Sequence, residues 1–347
     1  GPASRRRPVC AMAWGGLSNG IVRTILSERL GLDIVDARTI RRLALISSQA
    51  FSIINFRGEL IREWVATGVS VFAFAPDYDA RLRAKVRALG AEPVDYALSR
   101  AGLTPIADIR ALARLWLEVR RLRVDATFTY FIKPVIYGNF AARLAGVRRR
   151  FSIVEGGGYV FIDEECESWS RRMLRALVLR LYRLGLHGAE RVFFLNREDM
   201  KQFVDQGLTS PDCCVMIGGI GVDLMHFAVA APVERPVTFV LIARLLAEKG
   251  VREFVAAARV LHCRAHFVLV GGPDANPSSV GRLELEAWSR EGVIEWHDHV
   301  DDVRPLIARS SVLVLPSWYR EGVPRSIQEA MAMGRPIITT DMPGCRD

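Results

Sequence analysis

The 347-residue chain is poor in the residues that build metal and redox sites. Its six cysteines (Cys10, Cys166, Cys213, Cys214, Cys263, Cys345) form no C-x-x-C pair and no metal-ligand spacing, and the neighbours Cys213 and Cys214 are badly placed to bridge each other. This pattern fits a reduced, cytoplasmic protein. His297 and His299, in WHDHVDD, alternate at period two, which suits a strand end running into a helix cap at Asp301 or Asp302 better than a metal site. The longest apolar runs, such as VSVFAFA and SVLVLP, fall far short of the ~18 residues that cross a bilayer. There is no low-complexity tract. The first residues carry arginines without a continuous apolar core, so a signal peptide is not expected. Residues 1–39 are read as an N-terminal extension, loosely held.

Charge is unevenly spread. Residues 1–150 hold 25 Lys and Arg against 12 Asp and Glu, whereas residues 151–347 hold 22 against 26. A basic first half suits a phosphorylated substrate, an anionic membrane surface or nucleic acid. An arginine-rich composition alone would give the same balance. No nucleic-acid motif or aromatic-interleaved basic strip accompanies the charge, so nucleic acid is not an expected partner.

Strand and helix signals alternate along the chain. LALIS (from Leu43) reads as a strand, SQAFSIINFRG as a loop, ELIREWVAT as a helix and VSVFAFAP as the next strand. The alternation continues through a helix near Asp79–Leu89, strand EPVDYA, helix Ile106–Leu122, strand ATFTYF, helix Tyr137–Ala145 and strand RRFSIVEGGG. A basic helix within SRRMLRALVLRLYRLGL, strand RVFFLN and helix REDMKQFVDQ follow. After a glycine- and proline-rich stretch the plan restarts with TFVLIA, VREFVAAARVL and HFVLVGG. The expected fold is α/β, with two Rossmann-like doubly wound parallel sheets facing a cleft. The expected domains are 40–217 (acceptor side), a linker at 218–236, and 237–347 (nucleotide-sugar side). Ligands of such sheets bind beyond the strand carboxyl ends, so the cleft is the expected site.

Three features fall at strand ends of the second domain. In ARLLAEKG, Arg244 and Lys249 follow a strand; a forked guanidinium beside an ammonium suits a diphosphate. In LVGGPD, Gly271 and Gly272 allow a ligand close to the backbone. In YREGVPRSIQEAMAMGRPIITTDMPG, Pro324 suits a first helical turn whose free N–H groups favour an oxygen-rich ligand. Glu321 and Glu329, eight residues apart, would accept bonds from hydroxyls, a site for a sugar and a ribose. The plainer alternatives are that Glu321 biases a helix start and that Glu329 pairs with Arg325 one turn back.

Residues 40–347 resemble a family 4 glycosyltransferase of the GT-B fold. The resemblance rests on GIGVD (219–223), ARLLAEKGV (243–251), LVGGP (269–273), HVDDVRPLIARSSVLVLPS (299–317) and the E-x7-E block. KPVIYGNFAARLAGV and YREGVPRSIQEAMAMGRPIITTDMPGCRD resemble bacterial enzymes that extend polyprenyl-diphosphate-linked glycans. The resemblance implies retaining transfer of a sugar from a nucleotide-diphosphate sugar, UDP being the commonest donor nucleotide, without a metal or other cofactor. It implies that Arg244 and Lys249 bind the donor diphosphate, and that Glu321 contacts the transferred sugar with help from the backbone of Gly322, Val323, Pro324 and Arg325. Glu329 would hold the ribose. Glu321, Arg244 and Lys249 are the catalytic candidates.

The acceptor, a glycan or polyprenyl-diphosphate-linked glycan, would lie against the first domain. Candidates there are Asn55 and Arg57 in NFRGE, Lys133 in TYFIKP, and Glu155 and Gly157 in IVEGGGY. Relatives carry a histidine near TYFIKP, whereas this chain has none before His187. A lipid-linked acceptor implies peripheral attachment at the inner face of the plasma membrane, with arginine-rich helices facing the lipid. The chain stops at Asp347, where relatives continue, so the second domain is expected to be incomplete. Two other readings share these features: a non-catalytic or truncated nucleotide-sugar-binding subunit, and a sugar-nucleotide epimerase of the same fold.

Overall fold

The computed structural model describes residues 40–98, 105–156, 169–274 and 276–347. The expected extension at 1–39 lies outside the described residues, as does Gly157. Contacts divide the chain into two compact units. Of the described residues, one unit takes 40–220, Ser317–Pro324 and Thr339–Asp347; the other takes Gly221–Pro316 and Arg325–Ile338.

The larger unit is built on a seven-stranded parallel sheet. Its strands are β1 (Arg42–Ile46), β2 (Ser70–Ala75), β3 (Glu92–Asp95), β4 (Ala126–Tyr130), β5 (Arg149–Val154), β6 (Arg191–Phe194) and β7 (Cys214–Met216), in the order β3-β2-β1-β4-β5-β6-β7. Helices α1 (Ala50–Ala66), α2 (Ala80–Ala88), α3 (Pro105–Arg121), α4 (Asn139–Leu144), α5 (Trp169–Leu186) and α6 (Arg197–Asp205) connect them. All five residues of β4 are buried, as are Leu43 to Ile46 of β1, because helices cover both sheet faces. Alternate β1 side chains enter different cores. Leu43 and Leu45 pack with Ile53 and Ile61 of α1 and Val86 of α2; Ala44 and Ile46 pack with Leu115 of α3 and Ala141 of α4.

The strand order reverses between β1 and β4, which makes their carboxyl ends the switch point of this sheet. Most of the stretch 48–58, expected to be loop, is the start of α1. Its apolar residues Ala50, Ile53 and Ile61 bury at helical spacing, and Asp77 Oδ1 accepts from the Ala50 N–H at 2.7 Å, satisfying a first-turn donor. A π-helical turn, Pro134–Gly138, precedes α4 and was not legible from the sequence. Behind it, buried Asn139 donates to Val135 O at 2.6 Å and to Ser152 Oγ at 2.8 Å, tying this connection to β5. Strand β7, not expected from the sequence, lies just before the stretch read as a linker; pairs such as Phe193 with Val215 add it to the sheet edge.

The smaller unit holds a five-stranded sheet in the order β10-β9-β8-β11-β12. These are β8 (Thr238–Ile242), β9 (His266–Val270), β10 (Glu295–His297), β11 (Val312–Leu315) and β12 (Ile337–Thr339). Its helices are α7 (Val251–Leu261), α8 (Arg282–Arg290), α9 (Arg304–Ala308) and α10 (Arg325–Ala332). Leu241 and Leu269 pack on Phe254 of α7 and Trp288 of α8, while Val240 and Leu313 pack on Ile307 of α9 and Ile327 of α10. This sheet reverses between β8 and β11, so the loops after these two strands flank its switch point. Among the described residues, no helix is long and apolar enough to cross a membrane.

Candidate functional site

The loop after β8 carries Arg244 and Lys249. Arg244 is exposed, with a guanidinium nitrogen 3.7 Å from Asp274 Oδ2. Lys249 is buried and ends a 3-10 turn, Ala247–Lys249. Gly250 follows at φ +72, and a Cβ there would run into the carbonyl oxygen of Pro316. The turn is therefore pressed onto the end of β11, a place only glycine can occupy without strain. Gly271, at the end of neighbouring β9, has φ +146, and its Cβ would strike the Ala243 carbonyl oxygen. A Cβ on Gly272 would meet the Asp298 carboxylate. The Ala243 N–H donates to Val270 O at 3.2 Å, so the β8 and β9 loops are fixed against each other.

Helix α10 begins at Arg325, directly after Pro324. Glu329 lies one turn in and accepts from Arg325 Nε at 2.7 Å, so the plainer expectation of an i,i+4 pair is met in this structure. Burial pushes the Glu329 carboxyl above its ordinary range, and the Arg325 charge offsets only part of that rise. The neighbouring Gln328 accepts from the Gly221 N–H at 2.9 Å, which anchors GIGVD to the same helix.

Glu321, Gly322, Val323 and Pro324 belong to the unit of the seven-stranded sheet. Glu321 Oε1 accepts from Ser317 Oγ at 2.8 Å. Gly322 is packed so closely that a Cβ would stand 3.0 Å from the Glu155 carbonyl oxygen. Conversely, a Cβ on Gly156, at φ +109, would stand 3.0 Å from Gly322 N. The Glu321 loop thus rests on the carboxyl end of β5, against Glu155. Buried Asn196, the N-cap of α6, donates from Nδ2 to the carbonyls of Glu321 at 3.1 Å and Gly322 at 3.0 Å. Its Oδ1 accepts from Asp199 N–H at 2.8 Å. Asp199 is buried in turn, which raises its pKa, and Arg320 Nη2 stands 3.2 Å from its Oδ1. The N-cap role of Asn196 was readable in FLNRED, whereas its grip on residues far along the chain left no local signal.

On the acceptor-side candidates, Asn55 is an exposed residue within α1, not in a loop. Arg57 is on the same helix but buried, and it pairs with Glu155 at the end of β5. Its guanidinium also lies 4.6 Å from the Tyr130 ring centroid. Tyr130 OH and Ser52 Oγ are 2.9 Å apart, so α1, β4 and β5 meet here at the switch point. Lys133 Nζ pairs with buried Asp108 Oδ1 at 3.1 Å, and Tyr137 OH donates to the other Asp108 oxygen at 3.2 Å. Between these groups Phe131 takes φ +68, an uncommon conformation for a bulky residue that costs about 1–3 kcal/mol. In the described residues no group of three His, Cys, Asp or Glu side chains is arranged to hold a metal ion.

The family described as "Glycosyl transferase 4-like domain" matches residues 54–219, and "Glycosyl transferases group 1" matches residues 236–347. The chain is 30% identical over 317 residues to the N,N'-diacetylbacillosaminyl-diphospho-undecaprenol alpha-1,3-N-acetylgalactosaminyltransferase of Campylobacter jejuni, covering 88% of this chain and 81% of that protein. It is 26% identical over 257 residues to the Escherichia coli UDP-Gal:alpha-D-GlcNAc-diphosphoundecaprenol alpha-1,3-galactosyltransferase, covering 69% and 63%. Among solved structures, a glycosyltransferase from Rickettsia africae aligns with a TM-score of 0.65 at 15% identity, over 88% of this chain and 81% of that one. Anabaena HepE in complex with UDP and glucose aligns with a TM-score of 0.64 at 15% identity, over 88% and 82%. At such identities these two speak for the fold alone. The chain belongs to the family 4 glycosyltransferases, enzymes of the GT-B fold.

Proposed function

We propose that this glycosyltransferase moves a hexose-type sugar from a UDP-sugar to a polyprenyl-diphosphate-linked glycan, with retention of anomeric configuration and without a metal. The observation that carries the reading is the pairing of two cations, Arg244 and buried Lys249, in the glycine-tightened loop after β8, which flanks the switch point of the smaller sheet. Cations there would neutralise the charge that builds on the departing diphosphate, the main electrostatic demand of an oxocarbenium-like transition state. Glu329 would accept from ribose hydroxyls, and Glu321 from hydroxyls of the transferred sugar, beside the backbone of Gly322 to Arg325. Arg57, Lys133 and Glu155 would serve the acceptor side. The names of the two bacterial relatives, both acting on undecaprenyl-diphosphate-linked sugars, support this acceptor class.

Helix α5 supports a membrane-surface location. Val178, Tyr182 and Leu186 bury against the sheet, while Trp169, Met173, Leu177 and Leu184 are exposed beside Arg171, Arg172, Arg175 and Arg180. Exposed apolar residues interleaved with arginines suit the interface of an anionic bilayer.

Calorimetric titration with UDP, GDP and ADP tests the donor assignment. Preferential binding of UDP, weakened in Lys249→Ala, is the expected result. Equal or absent binding of all three nucleotides would remove the basis for the UDP-sugar reading.

A further inference from the structure

At the end of the seven-stranded sheet opposite to its strand carboxyl ends, a recess of about 420 Å³ is lined by Arg143, Gly146, Val147, Arg148, Arg150 and Gly188. We propose that Arg143, Arg148 and Arg150 form a phosphate-binding site there, separate from the sugar-transfer machinery.

The local structure explains how three arginines converge. Arg143 stands in the last turn of α4, and Gly146, at φ +79, turns the chain toward β5. Along the extended chain that follows, side chains alternate, so Arg148 and Arg150 share a face and Arg149 takes the other. Arg149 is neutralised on its own side, holding Glu190 with Nε at 3.1 Å and Nη2 at 2.8 Å. Among the described residues no carboxylate pairs with Arg143, Arg148 or Arg150, and none lines the recess.

Arg150 is the buried floor of the site. Its Nη2 donates to the carbonyls of His187 at 3.1 Å and Gly188 at 2.6 Å, at the turn after α5. Only 7% of the residue is exposed, yet its Nε has no hydrogen-bond partner. A buried guanidinium with an idle donor is costly unless an anion reaches the group. Burial and the nearby Arg143 charge both lower the Arg150 pKa, the mark of positive charges that repel and go unneutralised. Arg143, by contrast, is exposed; its guanidinium lies 5.4 Å from the Phe140 ring centroid and makes a long 3.4 Å contact with Leu184 O, and Arg148 is exposed as well. Two exposed forks beside a buried one can reach the oxygens of a phosphate group, for which the guanidinium is well shaped. A Cβ on Gly188 would stand 2.9 Å from Arg150 Nη2, so glycine there leaves room for the guanidinium, and a Cβ on Gly146 would meet nothing within 4 Å. A lipid headgroup phosphodiester and a free phosphate present the same oxygens to these guanidinium groups.

This inference needs neither the donor nor the acceptor assignment above. Its test uses the full chain and the double variant Arg143→Gln/Arg148→Gln, whose exposed positions leave folding intact. Arg264→Gln/Arg290→Gln, equal in charge loss, is the control. Sedimentation with phosphatidylglycerol vesicles, against phosphatidylcholine vesicles, tests the headgroup source; calorimetric titration with inorganic phosphate and pyrophosphate tests the free one. A drop of about tenfold in either affinity, in the double variant and not in the control, is expected when two charge-assisted contacts go. Loss on vesicles alone identifies a headgroup, and loss with the soluble anions alone identifies free phosphate. If the double variant matches the wild type in both assays, the arginines only cap the end of α5 and the proposal fails.

Discussion

The side-chain amide of Asn196 donates to the main-chain carbonyl of Gly322 at 3.0 Å, although the two residues are 126 positions apart. The same nitrogen reaches the carbonyl of Glu321, so one N-cap residue fixes the backbone that carries the Glu321 side chain. Asn196→Ala removes both the cap and this grip. The expected cost is about 1–3 kcal/mol of stability, read by urea denaturation. Transfer should fall by a larger factor than that loss of folded protein explains. Asn196→Asp keeps the acceptor for Asp199 N–H but sets a carboxylate against two carbonyls and Asp199, and should be worse than Ala at neutral pH.

Lys249 is buried and Arg244 exposed, and burial decides their rank. A charge in a low-dielectric position acts more strongly on a diphosphate than one in water. Lys249→Ala should weaken UDP binding by about 10- to 100-fold, with a smaller effect from Arg244→Ala. Calorimetry on both variants, with thermal melts as a folding check, measures the order directly.

Glu329 should give the protein a pH signature. Its folded-state pKa lies above the ordinary 4.5, chiefly through burial. The native state therefore holds this proton to higher pH than the unfolded chain does. The contribution to stability is largest below pH 4.5 and is lost as pH rises through the raised value. Glu329→Gln should abolish that slope in melts taken across the window. Because the ionised carboxylate is the better acceptor for ribose hydroxyls, wild-type UDP affinity should rise over the same window and that of Glu329→Gln should stay flat.

Gly250 joins left-handed backbone to a contact with the Pro316 carbonyl. Gly250→Ala should cost about 2–4 kcal/mol, more than backbone strain alone, since the added methyl must also displace the end of β11. A melt measures the loss, and UDP titration at a temperature where the variant is folded shows whether Lys249 has moved with the turn.

Both sheets were legible in the sequence because buried parallel strands read as short apolar runs between helical stretches, as in LALIS and TFVLIA. The start of α1 was not. SQAFSIIN carries polar residues that read as loop, and its helix depends on partners outside the segment, such as Asp77 on the Ala50 N–H. Strand β7 was missed for the same reason, since Cys214–Met216 is a strand only through its pairing with β6. The pair of Arg325 and Glu329 was visible as i,i+4 spacing. That of Arg57 with Glu155, 98 residues apart, was not, although each was singled out separately.

The most direct measurement is transfer itself, with the anomeric configuration of the product read by proton NMR. Purified chain would be incubated with α-configured UDP-sugars and a polyprenyl-diphosphate-linked sugar acceptor, with Glu321→Ala and Lys249→Ala alongside. Expected is an α-linked product that grows by one sugar unit and is strongly reduced in both variants. A β-linked product would contradict retention, and conversion of the donor without any transfer would point instead to an epimerase.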